Sequence, residues 1–245
     1  MSRPDAVAIV FAMDEEARPL VRDLDDREPL AVGGLRGWRG TLGGRRVAVA
    51  VTGEGLDRAT AGARALLASS PFEGLLGLGF GAGLTPDLRA GDLVWGSVVS
   101  AATGDVQEPP DSPWRDGAEG SGAFRKGALV TVDSILRGTE EKRAAAASHR
   151  LEKGAVGDLE SAGWARSAVA VGVPWLVVRA ISDIHDERLA IDFDRFRRPD
   201  GSVDRRRVLT HAALRPALWP SLGGLAVRAR GCARSLATSV RELLA

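Results

Sequence analysis

V-V-R-A-I-S-D-I-H-D, Val177 to Asp186, passes from apolar to charged within a few residues. The apolar run from Val171 to Val178 predicts a buried strand, and Arg179, Ser182 and Asp183 follow it directly. In α/β proteins ligands bind beyond the carboxyl ends of the strands, so a strand that ends in charge predicts a site. Asp183 reads either as a functional carboxyl at the strand tip or as a structural ion-pair partner of Arg179.

Outward from this stretch, strands and helices alternate. Val7–Phe11 predicts a buried first strand, and Glu15–Leu24 a helix with Asp14 as its cap. Trp38–Val51 predicts a hairpin turning at Gly43-Gly44, and Asp57–Ala68 an alanine-rich helix. Gly74–Phe80 predicts a central strand that breaks into a glycine loop from Gly79 to Leu84. Further strands are predicted at Leu93–Val99, Ala128–Val132 and Ala155-Val156, and further helices at Glu140–Ala147 and Glu160–Val171. Thr103–Arg125, rich in Pro, Gly, Asp and Ser, predicts a long surface loop. Beyond Phe193 the chain reads as helical to its end, interrupted at Pro199-Asp-Gly, Pro216 and Pro220. This alternation predicts an α/β fold: a central mixed, mostly parallel twisted sheet flanked by helices on both faces. No linker composition divides the chain. Residues 1–245 therefore read as one domain, with 197–245 as a C-terminal helical extension.

The 245 residues, 44 % of them hydrophobic, suffice for a sizeable core. With 33 Lys+Arg against 32 Asp+Glu, the charge balance argues against disorder and against a dedicated nucleic-acid binder. From Ile191 onward, however, about eleven arginines face about five acids. The single cysteine, Cys232, excludes an internal disulfide framework and a cysteine-based zinc site. His149, His185 and His211 are scattered, and no metal site is expected. No apolar run reaches the ~18 residues of a membrane span. The opening M-S-R-P-D-A lacks the features of a signal peptide, so the cytoplasm is expected.

Four places join carboxylates or glycines to strand ends: Met13–Glu16, Gly79–Gly83, Gly157–Glu160 and Ser182-Asp183. Each has a bland reading. Acids in a first helical turn are favoured by the helix dipole, so Asp14, Glu15, Glu16, Asp158 and Glu160 are readable as caps. A single glycine-rich loop is weak evidence of a ligand.

Their order and spacing are more specific. The set resembles the purine nucleoside phosphorylase and nucleosidase superfamily, in particular its methylthioadenosine/adenosylhomocysteine nucleosidase branch. Ala12-Met-Asp-Glu-Glu16 matches that branch's A-M-x-E-E, and Gly83-Leu-Thr-Pro-Asp-Leu-Arg-Ala-Gly-Asp92 its glycine loop followed by L-x-P-x-L-x-x-G-D. Asp158-Leu159-Glu160 looks like its E-M-E, and Arg179-Ala-Ile-Ser-Asp183 is identical to its R-A-I-S-D. The matches run in order over roughly residues 7 to 196.

The resemblance implies cleavage of a ribose–purine N-glycosidic bond, with negative charge developing on the purine and an oxocarbenium-like sugar. Asp183 matches the acid that protonates the base near N7, oriented by Ser182. Such an acid must hold its proton near neutral pH, and burial favours the neutral form. Glu160 matches the carboxylate that binds the ribose hydroxyls and faces the cationic sugar. Glu16 matches the general base that activates water. Phe80, Gly81, Ile135, Leu136, Asp158, Leu159 and Arg179 fall at substrate-binding positions. The resemblance implies a small-molecule nucleoside partner, a homo-oligomer, and no metal or organic cofactor. A phosphorylase needs cationic donors for phosphate, and no arginine lies in Gly79–Gly83. Hydrolysis is therefore expected over phosphorolysis, with phosphorolysis and a non-catalytic nucleoside-binding or membrane-peripheral module as the alternatives.

Three positions depart from the branch. Phe80 stands where it has serine, Ile135 near its base-stacking phenylalanine, and Asp158 is one methylene shorter than the first glutamate of E-M-E. The tail, Phe193 to Gly201 and onward through Leu214-Arg-Pro-Ala-Leu-Trp-Pro220, resembles the hopanoid-associated phosphorylase-like subgroup, thought to remove adenine from adenosylhopane. Arginine with Leu, Val and Trp219 suits a membrane surface or a greasy substrate; it equally suits a helix packed on the sheet, with Leu225, Val227 and Leu236 as core. Trp175 reads as core, Trp164 as core or pocket wall, His185 as site lining or loop. Cys232 reads as a buried small residue rather than a nucleophile.

Overall fold

The computed structural model describes residues 6–101, 104–198 and 203–245. In chain order the elements are β1 (Ala6–Phe11), α1 (Asp14–Arg22), β2 (Asp25–Pro29), β3 (Arg36–Leu42), β4 (Arg45–Val51), α2 (Leu56–Ser69), β5 (Gly74–Gly83), β6 (Leu93–Ala101) and β7 (Val106–Gln107). Then follow α3 (Pro113–Gly120), β8 (Phe124–Thr131), α4 (Thr139–Ser148), β9 (Ala155–Asp158), α5 (Ser161–Val171), β10 (Trp175–Asp183), α6 (Arg205–Ala213) and α7 (Trp219–Leu244). The sheet is mixed, with helices on both faces, as the alternation predicts. Its centre is closed: β5, β9, β8, β6 and β10 pair in turn, and β10 returns to β5. From β5 the sheet extends through β1, β4, β3 and β2. Parallel ladders join β1 to β4 and β5, β5 to β10, and β8 to β6 and β9.

The side-chain alternation of β10 builds two cores at once. Leu176, Val178 and Ala180 join Leu20 of α1 and Leu236, Val240 and Leu243 of α7 on one face. Trp175, Val177 and Ile181 join Leu66 of α2 and Trp164 of α5 on the other. Each fully buried leucine or valine contributes about 1.5–3 kcal/mol relative to exposure. The second half of α7 is thus core, Leu236 included, whereas Val227 is exposed.

Several elements differ from expectation. Val171 closes α5, Gly172 takes the left-handed cap conformation, and the strand runs from Trp175 through Asp183. The charged residues therefore lie within the ladder, not beyond it. Asp14 is inside α1, with Met13 at the cap position. The stretch Gly79–Gly83 is not a loop: β5 continues through it, pairing with β10 on one side and β9 on the other. The predicted long loop holds β7 and α3. Ser112 caps α3 by accepting from the Arg115 amide at 3.3 Å, and buried Trp114 anchors it in the core. Thr103 at its start, Met1–Asp5 and the Pro199-Asp-Gly interruption lie outside the described residues. The hairpin turns at Gly43-Gly44 as expected. Both have positive φ, 57° and 82°, which suits the primed two-residue turn of a twisted hairpin.

Candidate active site

The carboxyl ends of β1, β5 and β10 meet the start of α5, and a fully buried guanidinium holds them together. Arg179 is 0 % exposed. Its Nε lies 3.2 Å from Asp158 Oδ2 and donates to Ser161 Oγ at 3.0 Å. Its Nη2 donates to Glu160 Oε2 at 3.2 Å and its Nη1 to the Phe80 carbonyl at 3.2 Å. The Trp164 ring stacks on it, 4.6 Å from the guanidinium carbon to the ring centroid. Trp164 also donates through Nε1 to Thr52 Oγ1 at 3.1 Å. It is fully buried, so it supports Arg179 from within the core and does not form a pocket wall. Arg179 does not pair with Asp183, contrary to that reading of the sequence; its partners are Asp158 and Glu160.

Glu16 stands at the third position of α1 and reaches back over the helix start. Oε2 accepts the amides of Ala12 and Met13 at 3.1 and 2.9 Å, and Oε1 accepts the Phe80 amide at 2.8 Å. This is the reciprocal half of a capping box, so the cap reading of Glu16 holds alongside any other role. Burial is the first cause, and the nearby Glu160 charge the second, that pushes its pKa up to about 8. Glu160 precedes α5. Oε1 accepts the Gly55 amide at 2.9 Å and Oε2 faces Arg179. Burial pushes its pKa up to about 7, against the opposing pull of Arg179. Asp158 is the capping acid of this helix: Oδ1 accepts the amides of Glu160 and Ser161 at 3.0 Å each and the Thr131 hydroxyl at 2.8 Å, and Oδ2 accepts the Ser161 hydroxyl. Its side chain is fully enclosed, which makes it a support for Arg179 rather than a substrate-facing group.

The glycines of β5 are set by close approach, not by turning. A Cβ on Gly79 would meet Arg179 Nη1 at 2.3 Å, and one on Gly81 would meet Val156 Cγ1 at 2.4 Å. Phe80 between them contributes its backbone to Glu16 and Arg179, while its side chain packs on the core beneath α1 and α7.

Asp183 closes β10 past a register shift against β5: Ile181 pairs with Gly81, and Asp183 with Ala82, leaving Ser182 as the bulged residue. Ser182 donates to Asp183 Oδ1 at 2.7 Å. On the other side, Lys142 Nζ of α4 lies 2.6 Å from Asp183 Oδ2. Leu136 packs beside Leu84 and Val130, and half-buried Ile135 donates its amide to Asp194 Oδ2 at 3.2 Å. Leu159 is half-buried between Asp158 and Glu160. His185 lines an open recess of about 430 Å³ with Thr85 and Arg143, and this recess does not include Glu16, Glu160 or Asp183. Cys232 is buried against the Ile181 carbonyl, where burial raises its thiol pKa; it is core. The structure thus brings Glu16, Phe80, Asp158, Glu160 and Arg179 into one network and sets Ser182-Asp183 at the adjacent strand end. Lys142, Ser161, Thr131 and the Gly55 amide are additional members. Lys142 sits in the charge run Glu140–Arg143 on an alanine-rich helix, which reads as a solvated face and gives no cue to Asp183.

A parallel β5–β10 seam with buried carboxylates at its carboxyl end gives an α/β protein with a candidate ligand site at the strand tips. Residues 6–213 match the phosphorylase superfamily, and the chain belongs to that family. Among solved structures, it is similar to the 5′-methylthioadenosine/S-adenosylhomocysteine nucleosidase of Neisseria meningitidis in complex with methylthio-immucillin-A. Identity is 19 %, 98 % of each chain is covered, and the TM-score is 0.75. It is also similar to the corresponding Helicobacter pylori nucleosidase, at 16 % identity, 99 % coverage of each chain and a TM-score of 0.76. A futalosine hydrolase mutant from Helicobacter pylori strain 26695 aligns with 16 % identity, 98 % coverage of each chain and a TM-score of 0.76.

Proposed function

We propose that the protein is a cytoplasmic purine nucleosidase that hydrolyses the N-glycosidic bond of an adenosine-type, 5′-substituted nucleoside. The observation that carries this reading is the placement of Glu16 on the Phe80 amide, beside Glu160. Phosphate arriving as nucleophile would find that amide already occupied and would face carboxylates whose one shared guanidinium is engaged. Water and a cationic sugar suit the same surroundings.

In this reading Glu16 takes a proton from water as its oxygen attacks C1′. Its upward-shifted pKa makes it a stronger base in its ionised form. Glu160, with lone pairs left beyond Gly55 and Arg179, accepts from the ribose hydroxyls. Arg179 keeps Glu160 in place. Asp183, oriented by Ser182, gives its proton to the departing base, which keeps the electron pair of the broken bond. Ile135, Leu136, Leu159 and the Phe80-Gly81 backbone lie at the substrate positions of the matching motifs. The methylthioadenosine/adenosylhomocysteine nucleosidase and futalosine hydrolase neighbours support the reaction class by analogy.

We also propose one domain over the whole chain, supported by the part α7 takes in the sheet's core, and a homo-oligomeric assembly. An apolar 5′ extension on the substrate, as in the hopanoid-associated subgroup, belongs to this proposal through the resemblance of the tail alone. Peripheral membrane contact would use the exposed Leu209, Leu214, Trp219 and Val227. Among the described residues, no helix is long and apolar enough to cross a membrane.

The deciding experiment is a panel of nucleosides, including long-chain 5′-substituted adenosines, scored for free base with and without phosphate. Base release with free sugar, at a rate independent of phosphate, is expected. Strict phosphate dependence would establish phosphorolysis instead, and tight binding with no turnover would establish a binding module.

A further inference from the structure

Among the described residues, the lysine against Asp183 is the one fully buried ammonium that the proposed chemistry leaves unused. Lys142 is 0 % exposed. Its Nζ donates to the carbonyls of Ile184 at 2.6 Å and Glu187 at 2.9 Å, and it lies 2.6 Å from Asp183 Oδ2. The two directed hydrogen bonds go to the carbonyls; the approach of Nζ to Asp183 Oδ2 is not aligned as a hydrogen bond, and buried Oδ2 accepts no hydrogen bond. A buried ammonium is costly unless its partners compensate it, and the two carbonyls do so only in part until charge develops on Asp183. Among the described residues, Ser182 is the side chain hydrogen-bonded to Asp183. From α7, Arg228 donates to the Ser182 carbonyl at 3.1 Å and pairs with Glu187, and Cys232 contacts the Ile181 carbonyl. From the following loop, His185 Nδ1 lies 3.9 Å from Asp186.

We propose that Lys142 is the positioning residue of the leaving-group acid: it fixes Asp183 and the turn behind it, and its charge offsets the carboxylate formed when Asp183 protonates the departing base. This rests on the reading of Asp183 as that acid. The step balances as follows. The C1′–N9 bond breaks with its electron pair remaining on the purine, the Asp183 O–H proton passes to the purine ring nitrogen, and Asp183 is left anionic beside the ammonium of Lys142. Lys142 itself gives up no proton. Its contribution grows as charge develops on Asp183, so it acts on turnover more than on substrate binding.

The test compares adenosine with 4-nitrophenyl β-ribofuranoside, whose leaving group departs without a proton, in wild type, Lys142→Met, Lys142→Arg and Asp183→Asn. Wild type is expected to cleave both. Asp183→Asn and Lys142→Met are expected to lose about 100-fold or more in kcat on adenosine, at the low end of what acid–base assistance supplies. KM and turnover of the nitrophenyl riboside should stay within about threefold. Lys142→Arg keeps the charge and should recover part of the loss on adenosine. Equal losses on both substrates, or none on adenosine, overturn the role of Lys142. If Lys142→Met does not fold, the arginine variant decides by the same comparison: a loss confined to adenosine supports the proposal, and equal losses overturn it. A wild type that releases no base from adenosine or from any 5′-substituted adenosine, or an Asp183→Asn variant with undiminished activity, overturns the acid assignment and this proposal with it. A selective loss in Asp183→Asn alone leaves the acid standing and removes only Lys142.

Discussion

Arg179 and Glu16 meet over the bare α-carbon of Gly79: a methyl group there would lie 2.3 Å from Nη1 of the first and 3.1 Å from Oε1 of the second. The gap is filled by backbone alone, and it fixes the distance between the guanidinium and the carboxylate that share the site.

Gly79→Ala should therefore disturb function more than its single methyl suggests. Arg179 is held on every side and cannot simply withdraw, so overpacking of about 1–3 kcal/mol is expected, together with at least a tenfold loss of turnover. Thermal unfolding and base-release kinetics check this. Gly117→Ala is the control. It lies in α3, where a Cβ would meet only Leu243 Cδ2 at an ordinary 3.8 Å. Replacing that helical glycine should stabilise by roughly 0.5–1 kcal/mol and leave activity unchanged.

Removing the guanidinium strands two enclosed carboxylates. Arg179→Met is expected to destabilise by about 3–5 kcal/mol, because Asp158 and Glu160 lose their counter-charge while remaining buried. Arg179→Lys should rescue little, since a point charge cannot serve Asp158, Ser161, Glu160 and the Phe80 carbonyl at once. Denaturant midpoints of the two variants decide it; a lysine variant as stable as wild type contradicts the multidentate role.

Glu16→Gln should lower turnover by about 10²–10⁴-fold while the fold persists, because the amide oxygen still accepts from the helix start. For the wild type, kcat/KM should rise with pH as the coupled Glu16–Glu160 pair ionises, with its upper step near 8. A flat profile between pH 6.5 and 8.5 would remove Glu16 as the base.

The same carboxyls set a stability trend of defined sign. Both have folded-state pKa values above the ordinary 4.5, so the folded protein binds more protons than the unfolded chain between about 4.5 and 8. Their contribution is fully present below 4.5 and is lost as pH rises through about 7 and then 8. The combined effect is on the order of a few kcal/mol. Urea midpoints across this range should fall in wild type and fall less in Glu16→Gln.

The sequence discloses the candidate site unevenly, for physical reasons. Asp183, Glu16 and Glu160 are legible because each sits at the junction of an apolar run and a turn, in a fixed order. The glycines of β5 are visible but misread: composition cannot separate a glycine needed for turning from one needed for close contact, and Gly79 and Gly81 are of the second kind. The edge strand Asp25–Pro29 is exposed throughout and wholly polar apart from its proline, so it carries no apolar alternation to betray it. Lys142 is hidden by its neighbours, since a lysine among Glu140, Glu141 and Arg143 has the pattern of a wet helix face. The bulge at Ser182 leaves no mark in the residue types, although it sets how Asp183 leaves the strand.

Glu16 ties two backbone amides, those of Ala12 and Met13, to the carboxyl proposed to handle water. Each proton that Glu16 gains or loses must be felt at those amides, because a carboxylate is a stronger acceptor than a carboxylic acid. The protein therefore has an intrinsic spectroscopic reporter. The amide shifts of Ala12 and Met13, followed by nuclear magnetic resonance as pH or an occupant of the site changes, would register the protonation state of Glu16 without any label beyond nitrogen-15.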